Sequence, residues 1–299
     1  MSPARHRGLL WQIVQSRWAY FFIAPCLITF LVFQVYPIIY SFYLSFTRYD
    51  VGKPPQWNNL ANFSFLVADE TFWAALQNTL WMVGVLVPAG LAIALFLSVL
   101  IFRFSPNVQT FFKSAYYLPA VVSAVVISFV WLWIYHPVFG LFNALLNLLG
   151  QPDVLWLSQR STALPAILFM TLAGGGGASV VLYLAAMGAI PADLYEVAEI
   201  DGANDRQKFW NITLPLLKPT TLYLLVVGVI GTIQFFTPVY ILTDGGPANA
   251  TVSLGLLIYR YAFRFNRLDL AATLGMLMFL VTILIVFALY RLFFSEIEY

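Results

Sequence analysis

The sequence predicts an all-α, polytopic transmembrane bundle of six spans, and three observations carry that expectation. Hydrophobic residues make up 61% of the chain and charged residues only 9%, against about 25% charged in a soluble domain. The charge-poor runs are long: roughly Trp18–Phe46, Phe72–Ile101, Ser114–His136, Ser161–Ile190, Thr220–Thr243 and Leu268–Leu292. A helix crosses the bilayer in about 20 residues and a barrel strand in about 9–11, and only these two satisfy their backbones in lipid, so runs of this length are helices. Finally, the charges gather at the chain ends and between the runs, which makes the lipid bilayer the solvent for most of the chain.

Arg5, Arg7 and Arg17 precede the first run, as in a signal peptide, but that run far exceeds a signal core of about 7–15 residues and no small-x-small cleavage site follows. An uncleaved first span is expected. Cys26 lies inside it, is the single cysteine, and is expected to be a small buried apolar side chain. Pro37, Pro88, Pro165 and Pro238 lie within runs and are expected to kink their helices. Runs longer than a bilayer needs should tilt or extend past it.

Six spans put both termini on one side. With the N-terminus inside, the inner segments hold nine Lys and Arg and the outer segments six, which favours cytoplasmic termini. The chain then divides into a cytoplasmic N-terminal segment (1–17), a first span with its outer loop (18–71), a core (72–292) containing a cytoplasmic loop (191–219), and a cytoplasmic tail (293–299). Two outer stretches, Leu141–Leu149 and Leu254–Phe265, are short apolar helix candidates, the first interfacial, the second interfacial or re-entrant.

Several classes lose support. A net charge of +2 implies no nucleic-acid partner. The run Gly174–Gly177 lacks the Lys of a phosphate-binding loop and lies within a span. Four glycines weaken a helix by about 1 kcal/mol each relative to Ala, so this run reads as a local unwinding in mid-membrane, serving either close helix packing or space beside a solute. His6 and His136 have no metal-spaced partner, and neither a catalytic nor a metal site is expected. No span centre carries Asp, Glu, Lys or Arg, whereas ion-coupled carriers usually keep such groups in the bilayer. A secondary transporter is therefore the less favoured reading.

The most charged stretch is Pro191–Pro219. Pro191 can open a helix, Leu194, Val197, Ala198 and Ala203 are expected on one apolar side, and Gly202 falls where a helix ends. Asn204 or Asp205 can cap a second helix ending before Pro215 and Pro219. The residues alone leave a solvated amphipathic loop equally open. The spacing does more: Glu196-Val197-Ala198, three residues, Gly202, nine residues, then Ile212-x-Leu214-Pro215 resembles the EAA motif of binding-protein-dependent ABC importer permeases, with Val197 where Ala is usual. Asn78-Thr79, Tyr117-Leu118-Pro119, Ile190-Pro191 and Thr243-Asp244-Gly245-Gly246-Pro247 resemble further signatures of the family, the last those of its sugar-specific branch, which includes the maltose, lactose and glycerol-3-phosphate permeases.

The resemblance implies a five-helix permease core preceded by one extra helix. It implies a second permease subunit, giving a heterodimer, two cytoplasmic ATPase subunits that bind ATP and Mg, and an extracytoplasmic solute-binding protein. This chain is then no enzyme and holds no cofactor. Glu196, Val197, Ala198, Asp201, Gly202, Ala203, Leu214 and Pro215 would contact the ATPase. In the family, polar residues near Gln234 and Phe235 line the substrate site. Here Gly228, Thr232 and Phe235 share a helical face, with Gly231 and Gln234 beside it and Tyr240 beyond. Asn78 and Gly175 are further candidates. Interhelix packing explains these residues equally well. A sugar or oligosaccharide is the expected solute, with glycerol-3-phosphate or another polyol as the alternative, and the cytoplasmic (inner) membrane of a prokaryote is the expected location.

Overall fold

A computed structural model describes residues 17–50 and 52–294. The segment carrying Arg5 and Arg7, and the tail beyond Phe294, lie outside the described residues. Helices α1 (Arg17–Phe30) and α2 (Tyr36–Ser45) join through a π-turn at Leu31–Val35. Pro37 opens α2; lacking an N–H, it cannot donate to the turn before it. A two-stranded ribbon, β1 (Thr47–Arg48) and β2 (Gln56–Trp57), and the short α3 (Ala61–Ala68) lead into α4 (Glu70–Phe102). Asp69 caps α4 by accepting from the Thr71 N–H at 2.9 Å. With 33 residues, α4 is about 50 Å long, well beyond a hydrocarbon core of about 30 Å.

Next come α5 (Pro106–Val121), α6 (Ala124–Ile134), α7 (Leu141–Leu148), α8 (Arg160–Gly174) and α9 (Gly177–Gly188). The acidic loop holds α10 (Ala192–Ile200), α11 (Asp205–Lys208), a π-turn and α12 (Leu214–Leu216). Last are α13 (Lys218–Ile233), α14 (Thr237–Leu242), α15 (Leu254–Tyr259), a π-turn at Arg260–Arg264, and α16 (Leu268–Phe294). Among the described residues, four stretches are long and apolar enough to span singly, Tyr20–Ser45, Glu70–Phe102, Lys218–Leu242 and Leu268–Leu292, and the count reaches six if the bent pairs, α5 with α6 and α8 with α9, are each one span.

The third expected span is therefore not one rod. It bends by 92° between Val121 and Ala124. Pro119 leaves the last turn of α5 short of a donor, Val122 and Ser123 turn extended, and the Ser123 hydroxyl accepts from Val125 N–H to start α6. Helix runs unbroken through Pro88 and Pro165, while Pro238 starts α14 after a break at residues 234–236. The glycine run unwinds as expected: Gly175 is extended, Gly176 has φ +91°, and the axes of α8 and α9 differ by 44°. A Cβ on Gly177 would collide with the Tyr116 carbonyl of α5, so the same run also permits close packing.

The apolar core falls in two main clusters. One, toward the acidic loop, joins Ala94 and Ile101 of α4 to Val180, Tyr183 and Leu184 of α9 and to Leu217 and Leu224. The other, at the opposite end, includes Leu66, Met82, Tyr135, Ile167, Leu254, Leu257 and Leu270. Leu254, Leu256 and Leu257 of α15 are thus buried inside the protein. Asn143 of α7 is buried and makes four hydrogen bonds: its amide donates to Pro137 O at 2.9 Å and Val154 O at 3.1 Å, and its Oδ1 accepts from Val154 N–H at 3.2 Å and Trp156 Nε1 at 2.9 Å. Helix α1 packs on little of the chain, and Cys26 is exposed on it. Its expected burial within the protein is corrected: an apolar helix at the periphery offers its whole circumference to whatever surrounds it.

Candidate functional site

Two features stand out: the projecting acidic loop and a cavity in mid-bundle. Helix α10 ends in a Schellman turn. The Ala203 N–H bonds Ala198 O at 2.8 Å, the Gly202 N–H bonds Glu199 O at 3.0 Å, and Gly202 takes φ +78°. Asn204 then caps α11 in a capping box with Gln207, their reciprocal bonds at 2.9 and 2.8 Å. The loop is braced at its root. Tyr195 Oη shares a hydrogen bond with Thr213 Oγ1 at 2.9 Å, and Lys208 Nζ reaches Glu199 at 2.6 Å. That bond to Glu199 is the main reason the Lys208 ammonium titrates above its ordinary value. Arg103, past the end of α4, pairs loosely with Asp205 at 3.7 Å.

The side of α10 turned to the rest of the chain is Tyr195 and Ala198, both half-buried. Leu194 and Val197, expected on one apolar side with Ala198, are 43% and 57% exposed, and Ile200 at the tip is 85% exposed. One helix turn presents more apolar surface than its own chain covers. Glu196, Asp201 and Gly202 are exposed and Ala203 half-buried around the same tip, while Leu214 and Pro215 stand in α12 on the return toward α13.

The cavity, of about 430 Å³, lies between α4, the α8–α9 break and α13. Of the residues singled out from sequence, Gly175, Gly228, Gly231, Thr232 and Phe235 all line it. None of its lining residues is charged; Thr171, Ser179, Tyr223 and Thr232 supply hydroxyls. Gln234 is exposed and lies outside the lining. Tyr240 sits beyond the helix break, its ring stacked on Phe236 at 5.3 Å. Asn78 is also away from the cavity, where its amide donates to Asn249 O at 3.1 Å and Val252 O at 3.0 Å. Beside it, Thr79 Oγ1 accepts from the Leu254 N–H at 3.0 Å. This signature pair ties α4 to the segment before α15. Leu86, Val87, Thr171 and Tyr223 are also part of the cavity wall, and nothing in their local sequence distinguishes them from lipid-facing residues.

A multi-span helical bundle with an uncharged mid-bundle cavity and a braced, projecting loop is built as a membrane transport subunit, and the comparisons agree. The family described as binding-protein-dependent transport system inner membrane component matches residues 86–299. The chain belongs to this family, whose members are transport permeases, not enzymes. It is 33% identical over 91% of its length, and 89% of the relative's, to the probable ABC transporter permease protein YesP of Bacillus subtilis. It is likewise 33% identical to the arabinooligosaccharides transport system permease protein AraP of the same organism, over 89% of this chain and 85% of that one. Among solved structures, a bacterial ABC transporter involved in the import of the acidic polysaccharide alginate superposes with a TM-score of 0.86 at 26% identity, covering 97% of this chain and 100% of that one.

Proposed function

We propose that the chain is the pore-forming subunit of an ATP-driven importer for a neutral sugar or oligosaccharide. It would pair with a second permease, two cytoplasmic ATPase subunits carrying ATP and Mg, and an extracytoplasmic solute-binding protein, with both termini on the cytoplasmic side of a prokaryotic inner membrane. The observation that carries the coupling role is the tip of α10, where Val197 and Ile200 are bare while the root is locked by Tyr195–Thr213 and Lys208–Glu199. A rigid element with an uncovered apolar end suits rigid-body transmission from a partner. Glu196, Val197, Ala198, Asp201, Gly202 and Ala203 form the contact, and Leu214 and Pro215 its hinge side.

The uncharged, hydroxyl-bearing cavity supports a neutral polyhydroxy solute, as do relatives such as the arabinooligosaccharides permease. A phosphorylated solute such as glycerol-3-phosphate would call for an Arg or Lys in the lining, so on this chain the polyol-phosphate alternative is the weaker one. The test is chemical. In a Cys26→Ser background, Ile200→Cys should react with a membrane-impermeant maleimide only from the cytoplasmic face, and should cross-link to the ATPase subunit. Labelling from the outside would overturn the coupling role. Competition between labelled sugars for uptake then assigns the solute class.

A further inference from the structure

Phe235 lines the cavity at the end opposite the acidic loop, and its neighbour Phe236 begins a second set of rings. Phe236 and Tyr240, one turn apart, stack at 5.3 Å. Tyr259 closes on them at 5.0 and 5.1 Å. Phe263, one turn further along the next helical segment, follows Tyr259 at 5.3 Å and is 71% exposed. At the edge of the set, the Arg264 guanidinium lies 5.7 Å from the Tyr240 ring centroid and pairs with Asp244 at 2.8 Å.

The ion pair decides which medium this surface meets. The Arg264 and Asp244 side chains are 40% and 45% exposed, and a charged pair so open is costly in hydrocarbon. The rings beside it therefore face water, where a contiguous apolar patch marks a binding surface. What it can bind follows from its composition. Phe263 offers an exposed flat face, Phe236, Tyr240 and Tyr259 offer half-buried ring surface beside it, and Arg264 and Asp244 offer a donor and an acceptor at the margin. Asp244 also keeps one buried carboxylate oxygen, Oδ1, that no group among the described residues bonds. A sugar ring has that same pairing, an apolar C–H face edged by hydroxyls. Phe236 directly follows the cavity-lining Phe235 in sequence, so the set begins next to the cavity, which points to the same solute on its way in.

We propose that Phe236, Tyr240, Tyr259 and Phe263 form a stacking ladder for the rings of a neutral oligosaccharide, an entry subsite that hands the chain of sugars to the cavity. The ladder rests on the sugar-importer reading, and the experiment separates the two. The complete transporter, reconstituted in proteoliposomes with its binding protein, is supplied with a labelled series of neutral di- to pentasaccharides. Phe263→Ala and Phe263→Leu should raise the KM for uptake about fivefold, with a smaller change in kcat and with equal amounts of protein in the membrane. Phe263→Trp should restore it. Leu keeps the apolar bulk without the π face, so a Phe263→Leu transporter that matches the unsubstituted one overturns the ladder, as does a Phe263→Trp transporter no better than Phe263→Ala. If the unsubstituted transporter takes up no saccharide of any length, the sugar reading itself falls and takes the ladder with it.

Discussion

Replacing Gly202 tests whether the acidic loop works through the shape of its turn. At φ +78° an L residue costs about 1–2 kcal/mol. Its two chain neighbours aside, no atom of the described residues lies within 4 Å of the position a Cβ would take, so strain is the main cost within this subunit. Two hydrogen bonds close the turn, at 2.8 and 3.0 Å, each contributing about 0.5–1.5 kcal/mol. The strain from Gly202→Ala therefore rivals one of them, and about 1.4 kcal/mol would open the closed turn tenfold more often. A β-branched Gly202→Val lies at the upper end of the strain, while Asn and Asp tolerate this region. In the assembled transporter, binding-protein-stimulated ATPase and solute uptake should fall in the order Gly or Asn, then Ala, then Val, with the Tm lowered by only about 2–4 °C. Gly202→Asp isolates the contact surface: the turn is kept, but a new carboxylate at the tip should abolish uptake in a folded subunit. Full coupled uptake in Gly202→Val would refute the reasoning.

Gly177→Ala drives a Cβ into the Tyr116 carbonyl, so the α5–α9 contact should open and the amount of subunit recovered from membranes should drop, whereas Gly174→Ala, which meets nothing within 4 Å, should be recovered normally apart from added stiffness in α8. Asn143→Ala removes four hydrogen bonds of a 1% exposed side chain. A loss of about 2–4 kcal/mol at about 1 kcal/mol per bond should appear as a lower Tm and faster proteolysis within residues 137–160. Gly231→Leu, another position with nothing within 4 Å, should fold normally yet fill part of the 430 Å³ cavity, raising the KM for uptake or abolishing uptake, with the larger loss for longer saccharides.

What the sequence reveals here depends on whether the physics is local. The spans are legible because lipid demands long uncharged helices. The acidic loop is legible because a left-handed glycine followed by Asn204 and Gln207 three apart encodes its own turn and cap. The unwinding at Gly174–Gly177 follows from the weakness of consecutive glycines in a helix, and at the cavity Gly175 of that break meets Gly228, Gly231 and Thr232 of α13 and Phe235 just past its end. Features set by tertiary contact are not legible. The 92° bend after Val121 involves one proline among several that leave their helices unbroken, so Pro119 alone does not announce it. Asn143 looks like any polar residue on an amphipathic helix until the 150s fold back over it. Leu194 and Val197 are left bare because α10 leans on the chain through Tyr195 and Ala198, and hydropathy cannot tell an apolar face that is buried from one left bare for a partner. Asn78 matches a family signature, yet its amide secures the segment before α15 and does not reach the cavity.

The most direct measurement is solute uptake into sealed proteoliposomes under three conditions: the permease pair alone, the pair with its ATPase but no ATP, and the pair with ATPase, MgATP and sugar-loaded binding protein. Accumulation against a gradient is expected only in the third, and it should vanish when Ile200 or Val197 is replaced by Asp at the bare tip of α10. Equal uptake without the ATPase, or undiminished ATP-driven uptake with a charged tip, would contradict a subunit whose pore is worked through that helix.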